Sequence, residues 1–102
     1  MNAKLPPITK GIGAEGRVEY HFWVDQTWDS FDSLVRYIEK HWKGVVVESV
    51  DNVYSRRWVL RSGDVPISVY HDSQKGNYLV REDGTDQSLL EAIEADLLKR
   101  LS

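Results

Sequence analysis

The alternation of hydrophobic and polar residues first predicts a strand at residues 17–24. A period of two is typical of a strand that turns one face to a core and the other away from it. The residues expected to face the core are Val18, Tyr20, Phe22 and Val24, and those expected to face away are Arg17, Glu19, His21 and Trp23. Residues 1–16 hold two prolines and three glycines without such a period, so they are predicted to be a flexible N-terminal arm.

Two segments carry the helical period instead. After Thr27, a candidate N-cap, the hydrophobic residues recur on one helical stripe, at Phe31, Leu34, Val35, Ile38 and Trp42. Gly44 is expected to end this helix in the left-handed conformation. A second helix is predicted from about Gln87 to Leu101, with its stripe at Leu90, Ile93, Leu97 and Leu101.

Between the helices the chain reads as four strands joined by short polar turns. The predicted strands are Val45–Val50, Tyr54–Arg61, Val65–His71 and Asn77–Glu82, and the turns are rich in Asp, Asn, Ser and Gly. The side chains expected to face the core are Tyr54, Trp58, Leu60, Val65, Ile67 and Val69.

The element order is therefore strand, helix, four strands, helix. It predicts an α+β domain over residues 17–102, in which two helices cover one face of a mostly antiparallel five-stranded sheet in two layers. A chain of 102 residues is long enough for one hydrophobic core and too short for two.

Composition narrows the function classes. The net charge is −3, which disfavours a general nucleic-acid binder, and no stretch is long and apolar enough to predict a membrane helix. The chain has no cysteine, so disulfides, thiolate metal sites and cysteine nucleophiles are excluded. We expect a small soluble protein located in the cytoplasm.

Motifs for cofactors, metals and catalysis are weak. Residues 11–16 match the glycine spacing of dinucleotide-binding loops, but that motif needs a strand before it and a helix after it, and here a strand follows. The three histidines lack metal-ligand spacing. No cofactor and no metal are predicted. One enzymatic alternative stays open, in which His21, His71 and Asp72 converge in a pocket.

The strongest candidate site is the sheet face turned away from the helices. Aromatic residues mixed with arginine are enriched at protein-binding hot spots. The predicted partner-binding residues are His21, Trp23, Arg57, Val59, Arg61 and Tyr70. The same mixture occurs in single-strand RNA binders, but the signature of that class is missing and the net charge is negative, so the sequence disfavours nucleic acid as the partner.

These features favour a small non-catalytic protein-binding domain. An inhibitor or immunity-type protein that captures a basic partner is one form of this hypothesis, since a mildly acidic domain would steer such a partner electrostatically. The alternatives are the small His/Asp enzyme or ligand-binding domain, and a homo-oligomeric structural module whose outer face is covered by a second copy.

Overall fold

The computed structural model describes residues 8–13, 16–22, 28–81 and 87–101. It shows an α+β fold with two helices and one antiparallel sheet. The elements in chain order are β1 (Ile8–Ile12), β2 (Val18–Phe22), α1 (Trp28–His41), β3 (Gly44–Asp51), β4 (Ser55–Ser62), β5 (Val65–Asp72), β6 (Gly76–Val80) and α2 (Ser88–Leu101).

The sheet has six strands in the order β1-β2-β6-β5-β4-β3, and every neighbouring pair is antiparallel. The prediction of five strands is therefore wrong. The additional strand, β1, occupies residues that the sequence assigned to a flexible arm, and it pairs with β2 from Ile8 opposite Phe22 to Ile12 opposite Val18. Ile8 is buried in the core, which explains why this short, glycine-containing segment joins the sheet.

One hydrophobic cluster joins both helices to the sheet. The helix residues in it are Phe31, Leu34, Val35, Ile38, Leu90, Ile93 and Leu97, and the strand residues are Ile8, Tyr20, Phe22, Leu60, Ile67, Val69 and Leu79. We call the sheet face that carries these strand residues the inner face and the opposite one the outer face. The helical stripes predicted from the sequence thus meet the predicted core positions of the strands, because burial of both apolar surfaces removes them from water.

The end of α1 differs from the prediction at one residue. Lys43, not Gly44, takes the left-handed conformation, with φ of 56°. Gly44 instead begins β3, where a Cβ atom would lie 2.8 Å from Ile38 Cγ2. The glycine is therefore required for the close packing of β3 on α1. The left-handed conformation that ends the helix is taken by Lys43 instead.

The turns between the last strands follow the predicted chemistry. Gly63 and Gly76 both have positive φ, at 62° and 81°, as tight hairpin turns require. Asp72 Oδ1 accepts hydrogen bonds from the backbone amides of Gln74 and Lys75, at 2.8 and 3.2 Å. These local bonds fix where β5 ends and β6 begins.

Among the described residues that were predicted to face the core, Tyr54 was placed wrongly. It precedes β4 and is 73% exposed, whereas Leu60, Ile67 and Val69 are buried as expected.

Within the described ranges, neither helix is both long enough and apolar enough to cross a lipid bilayer.

Candidate functional site

A row of planar side chains crosses the outer face. The strand register places His21, Tyr78, Tyr70 and Arg57 side by side on β2, β6, β5 and β4. We call this set the ring row. Because directly opposed residues of antiparallel strands project from the same face, the row follows from the register alone.

The members of the ring row stack on one another. The ring centroids of His21 and Tyr78 are 4.8 Å apart, and those of Tyr78 and Tyr70 are 5.0 Å apart with planes only 5° from parallel. Arg57 closes the row, since its Nε donates to the Tyr70 hydroxyl at 3.1 Å and its Nη1 lies 2.5 Å from Glu48 Oε1. Most of the ring faces are therefore occupied by neighbouring side chains. Stacking of nucleic-acid bases, which needs free ring faces, gains no support from this geometry.

The β2 end of the row is covered. Glu19 is only 3% exposed, and its Oε1 lies 2.8 Å from His21 Nε2. Gly13 lies directly over this carboxylate, since a Cβ atom there would come within 2.0 Å of Glu19 Oε2. Burial, followed by the negative charge of Glu19, raises the pKa of the Tyr78 hydroxyl to about 12. Tyr78 is therefore a neutral, packed side chain at physiological pH.

The predicted binding residues fall into separate environments. His21, Tyr70 and Arg57 are brought together in the ring row and are each partly buried. Val59 shares their face but is only 8% exposed, so it packs within the surface instead of protruding from it. Arg61 is exposed on the same face, opposite Val45 of β3 and Pro66 of β5. Trp23 lies outside the described residues.

The alternative His/Asp cluster does not form. His21 and Asp72 project from the outer face, whereas His71 is paired with Arg56 and Asn77 on the inner face. His71 is buried, and its Nδ1 lies 2.7 Å from the Asn77 side-chain oxygen. The Asn77 amide in turn donates to Ser30 Oγ at 2.6 Å. His71 thus belongs to a polar connection between the sheet and α1.

A buried arginine, which the sequence did not single out, lies next to this connection. Arg56 is 6% exposed and lies 3.0 Å from Asp51 Oδ1 and 3.2 Å from Asp32 Oδ1. Its guanidinium carbon lies 4.4 Å from the Phe31 ring centroid. Asp51 also accepts a hydrogen bond from the Trp58 indole at 2.8 Å. That bond and the bond from Arg56 lower the pKa of the Asp51 carboxyl below its usual value.

A shallow cavity of about 330 Å³ lies beside the end of β3, the beginning of β4 and the end of β5. Its lining residues are Val50, Asn52, Ser55, Arg56, Arg57, Tyr70, His71, Asp72 and Tyr78. Both arginines in it are already paired with carboxylates. In the described segments, no three His, Asp or Glu side chains lie close enough together to hold a metal ion.

Among the residues that the structure describes, most of the exposed large hydrophobic side chains lie on β3 and the turn that follows it. Val45, Val47 and Val50 are 63, 54 and 43% exposed, and Val53 and Tyr54 are more exposed still. We define the β3 surface as Val45, Val47, Glu48, Val50, Val53 and Tyr54, together with the adjoining Arg57 and Arg61. Apart from its two arginines, sequence reasoning missed this surface, because an apolar run such as Val45-Val46-Val47 is also typical of a buried strand.

A β-bulge shapes this surface. The register with β4 shifts between Val46, opposite Leu60, and Glu48, opposite Val59. Val47 is therefore an extra residue in β3. As a result Val45 and Val50 lie opposite Arg61 and Arg57 respectively, all on the outer face.

Comparisons of this chain with protein-family models, with curated proteins and with solved structures found no match.

Proposed function

We propose that this chain is a non-catalytic protein-binding domain that binds its partner through the β3 surface. The observation that carries the proposal is the concentration of exposed valines on one edge strand. Exposed hydrophobic residues that adjoin one another and are bordered by polar side chains mark protein interaction sites more often than scattered ones do. Of the six large hydrophobic side chains recorded as exposed in the described segments, only Ile12 lies away from β3 and its turn.

The charged residues around these valines fit the same role. Glu48 and Arg57 form an ion pair whose side chains are both partly exposed, and Arg61 borders Val45. A hydrophobic centre with a polar rim is the usual anatomy of a protein interface. Charges at such a rim contribute chiefly to partner choice and association rate.

The ring row supports this surface from the side. Arg57 bonds to Tyr70, and Tyr70 stacks on Tyr78, so the guanidinium group is held in place before a partner arrives. Ordering a long side chain in advance lowers the entropy lost on binding. His21, Tyr70 and Val59 therefore act, in this proposal, as packing behind the contact residues, while Arg57 and Arg61 meet the partner directly.

The proposed function also rests on a two-layer arrangement in which both helices cover the inner face. This arrangement is supported by the core cluster, which contains residues of both helices together with the inner-face residues of the sheet. The outer face and the β3 edge are then left to the partner. A role as an inhibitor or immunity-type protein, a basic partner and a cytoplasmic location stay predictions of the sequence.

The proposal is tested by comparing capture of partners by two variants. Val45→Thr combined with Val50→Thr keeps the β-branched shape and removes apolar surface from β3. Ile12→Thr makes the same kind of change on β1, at the opposite edge of the sheet. Proteins captured from native extract by the immobilised wild-type chain would be identified by mass spectrometry and quantified for each variant.

We expect the β3 double variant to lose the specific partner and Ile12→Thr to keep it. Circular dichroism would confirm that both variants fold. Retention of the partner at wild-type level by the β3 double variant would contradict the proposal, as would loss of the partner in Ile12→Thr alone.

A further inference from the structure

The β3 surface presents three side chains to anything that pairs with its free edge on the outer face, namely Val45, Glu48 and Val50. From these three we infer the class of partner, and the inference rests on the proposed function. We propose that the partner adds an extended segment to β3 as a further strand, and that this segment has hydrophobic residues at both ends of its contact and a basic residue midway between them.

The two edge strands of the sheet, β1 and β3, differ in length and in the side chains that they expose. β3 pairs with β4 alone among the described strands, and most of its side chains are exposed. β1, at the other edge, has 5 residues against the 8 of β3, and α2 contacts it on the inner face, where Lys10 pairs with Glu91 at 3.2 Å and Ile8 is buried in the core. An edge strand offers backbone donors and acceptors to an added strand, and this is a recurrent way in which proteins bind extended peptides.

The bulge determines the spacing of the expected pattern. The six β3 residues from Val45 to Val50 lie opposite the five β4 residues from Arg57 to Arg61. Suppose that an added strand on the other side of β3 also places five residues opposite Val45–Val50. Its first and last residues then lie opposite Val45 and Val50, and its middle residue lies opposite Glu48. The pattern is the same in both directions, so it holds for parallel and antiparallel addition.

The charge of Glu48 determines which residue is favoured in the middle of the added segment. The Glu48 side chain is 54% exposed, and its Oε1 is paired with Arg57 Nη1 at 2.5 Å. A carboxylate has two acceptor oxygens, so it can accept from a second basic group as well. A lysine or arginine directly opposite it is favourable, whereas a second carboxylate is unfavourable. Hydrophobic residues opposite Val45 and Val50 would cover the exposed valines at the two ends.

The same geometry argues against a second copy of this chain as the occupant. A two-fold pairing that sets Val45 of one copy against Val50 of the other, and skips Val47 in both strands as the pairing with β4 does, brings the two Glu48 residues opposite each other. Like charges in directly opposed positions destabilise strand pairing. A segment of a different protein with a lysine or arginine in the middle avoids this repulsion.

The bulge also limits unwanted pairing. A bulge interrupts the even spacing of backbone donors and acceptors along an edge strand, and bulges on edge strands are a known protection against aggregation. Only a segment that tolerates the irregular spacing at Val47 pairs along the whole length of β3. This feature favours a selective partner over indiscriminate strand addition.

A displayed library of short extended peptides, randomised at the positions that would face β3, tests the pattern directly. Wild-type protein is expected to enrich peptides with Lys or Arg in the middle and Val, Ile, Leu or Phe at both ends. The Glu48→Lys variant is expected to reverse the central preference to Asp or Glu, and Glu48→Gln to abolish it. The β3 double variant, Val45→Thr with Val50→Thr, should bind the enriched peptides about tenfold more weakly or worse.

Hydrogen exchange of the β3 amides separates strand addition from other modes of binding. Their exchange should slow when a synthetic copy of an enriched peptide is added, as it does when amides enter a ladder. Ile12→Thr serves as the control and should leave peptide binding unchanged.

Three outcomes would overturn the inference. One is a library that yields no peptide dependent on Val45 and Val50. Another is enrichment whose central residue ignores the charge at position 48, and the third is a molecular mass that doubles in solution and returns to that of the monomer in the β3 double variant. The first two leave the proposed function standing if full-length partners still depend on the same valines, so the two failures are distinguishable.

Discussion

Val45 and Val50 face the same side of the sheet, although their positions in β3 differ by five, which is an odd number. In a regular strand such residues point to opposite faces. The extra residue at Val47 restores them to one face, opposite Arg61 and Arg57. The bulge thus converts a run that would bury one valine and expose the other into a pair of exposed valines on one surface.

The first prediction is that these two valines contribute little to stability. Both are exposed, so replacing Val45 and Val50 by threonine should change the free energy of unfolding by no more than about 0.5 kcal/mol. Urea denaturation of the double variant beside the wild type would measure the difference. A loss of about 2 kcal/mol or more would show that the valines pack within the fold, and the β3 surface would lose its standing as a binding site.

The second prediction concerns Arg56. Its side chain is 6% exposed, pairs with Asp32 and Asp51, and lies over the rings of Phe31 and Trp58. Replacement by alanine should lower the free energy of unfolding by about 2 to 3 kcal/mol, because it removes the aliphatic packing and leaves two carboxylates without their partner.

The matched control for Arg56 is Arg61, which is exposed on the same strand. Arg61→Ala should be nearly neutral for stability. Arg56→Lys keeps the charge but not the planar group that reaches two carboxylates at once, so it should recover only part of the loss. Equal urea midpoints for Arg56→Ala and Arg61→Ala would refute the structural role of Arg56.

Much of the fold could be predicted because its strongest patterns are local. The alternation in β4 and β5 and the stripe of α1 carry enough buried hydrophobic residues to define both their elements and their inner faces. β1 was missed because Ile8 is its only buried residue and Gly11 interrupts it. Its place in the sheet comes from pairing with β2, which no pattern within Ile8–Ile12 records.

The candidate site was predicted in part for the same reason. His21, Tyr70 and Arg57 were assigned to the outer face by alternation, and the register brings them into one row. Whether β3 lies in the middle or at the edge depends on the order of all six strands, which is a long-range property. The exposure of Val45, Val47 and Val50 follows from that order and from the bulge, and neither is visible in a single sequence.

The third prediction uses the boundary between α1 and β3. Gly44→Ala would place a Cβ atom 2.8 Å from Ile38 Cγ2 and 3.2 Å from Leu60 Cδ2. Overpacking of this kind typically costs about 1 to 3 kcal/mol. Gly11→Ala is the matched control, because no atom lies within 4 Å of the added methyl group there.

Lys43→Gly should act in the opposite direction. Lys43 has a φ of 56°, a conformation that costs an ordinary residue about 1 kcal/mol and costs glycine almost nothing. Thermal unfolding of the three variants should therefore rank Lys43→Gly above the wild type and Gly44→Ala below it. A stable Gly44→Ala variant would mean that α1 moves away from β3 without loss.

The fourth prediction follows from the buried tyrosines. Burial raises the pKa of the Tyr78 hydroxyl from 10.0 to about 12, and burial together with a hydrogen bond to Asp96 raises that of Tyr37 to about 12. A hydroxyl whose pKa is higher in the folded state favours folding while it is protonated. Its contribution is fully present below pH 10.0 and is lost as the pH rises towards about 12.

Spectrophotometric titration of tyrosinate absorbance would measure this difference. In the folded chain two hydroxyls should ionise near pH 12, and Tyr78→Phe should remove one of them. Urea denaturation at increasing alkaline pH should show a decline in stability that is shallower in Tyr78→Phe and shallower again when Tyr37→Phe is added. A Tyr78 hydroxyl that ionises near pH 10 in the folded chain would show that the ring row is open to solvent, and its role as packing behind the β3 surface would fail.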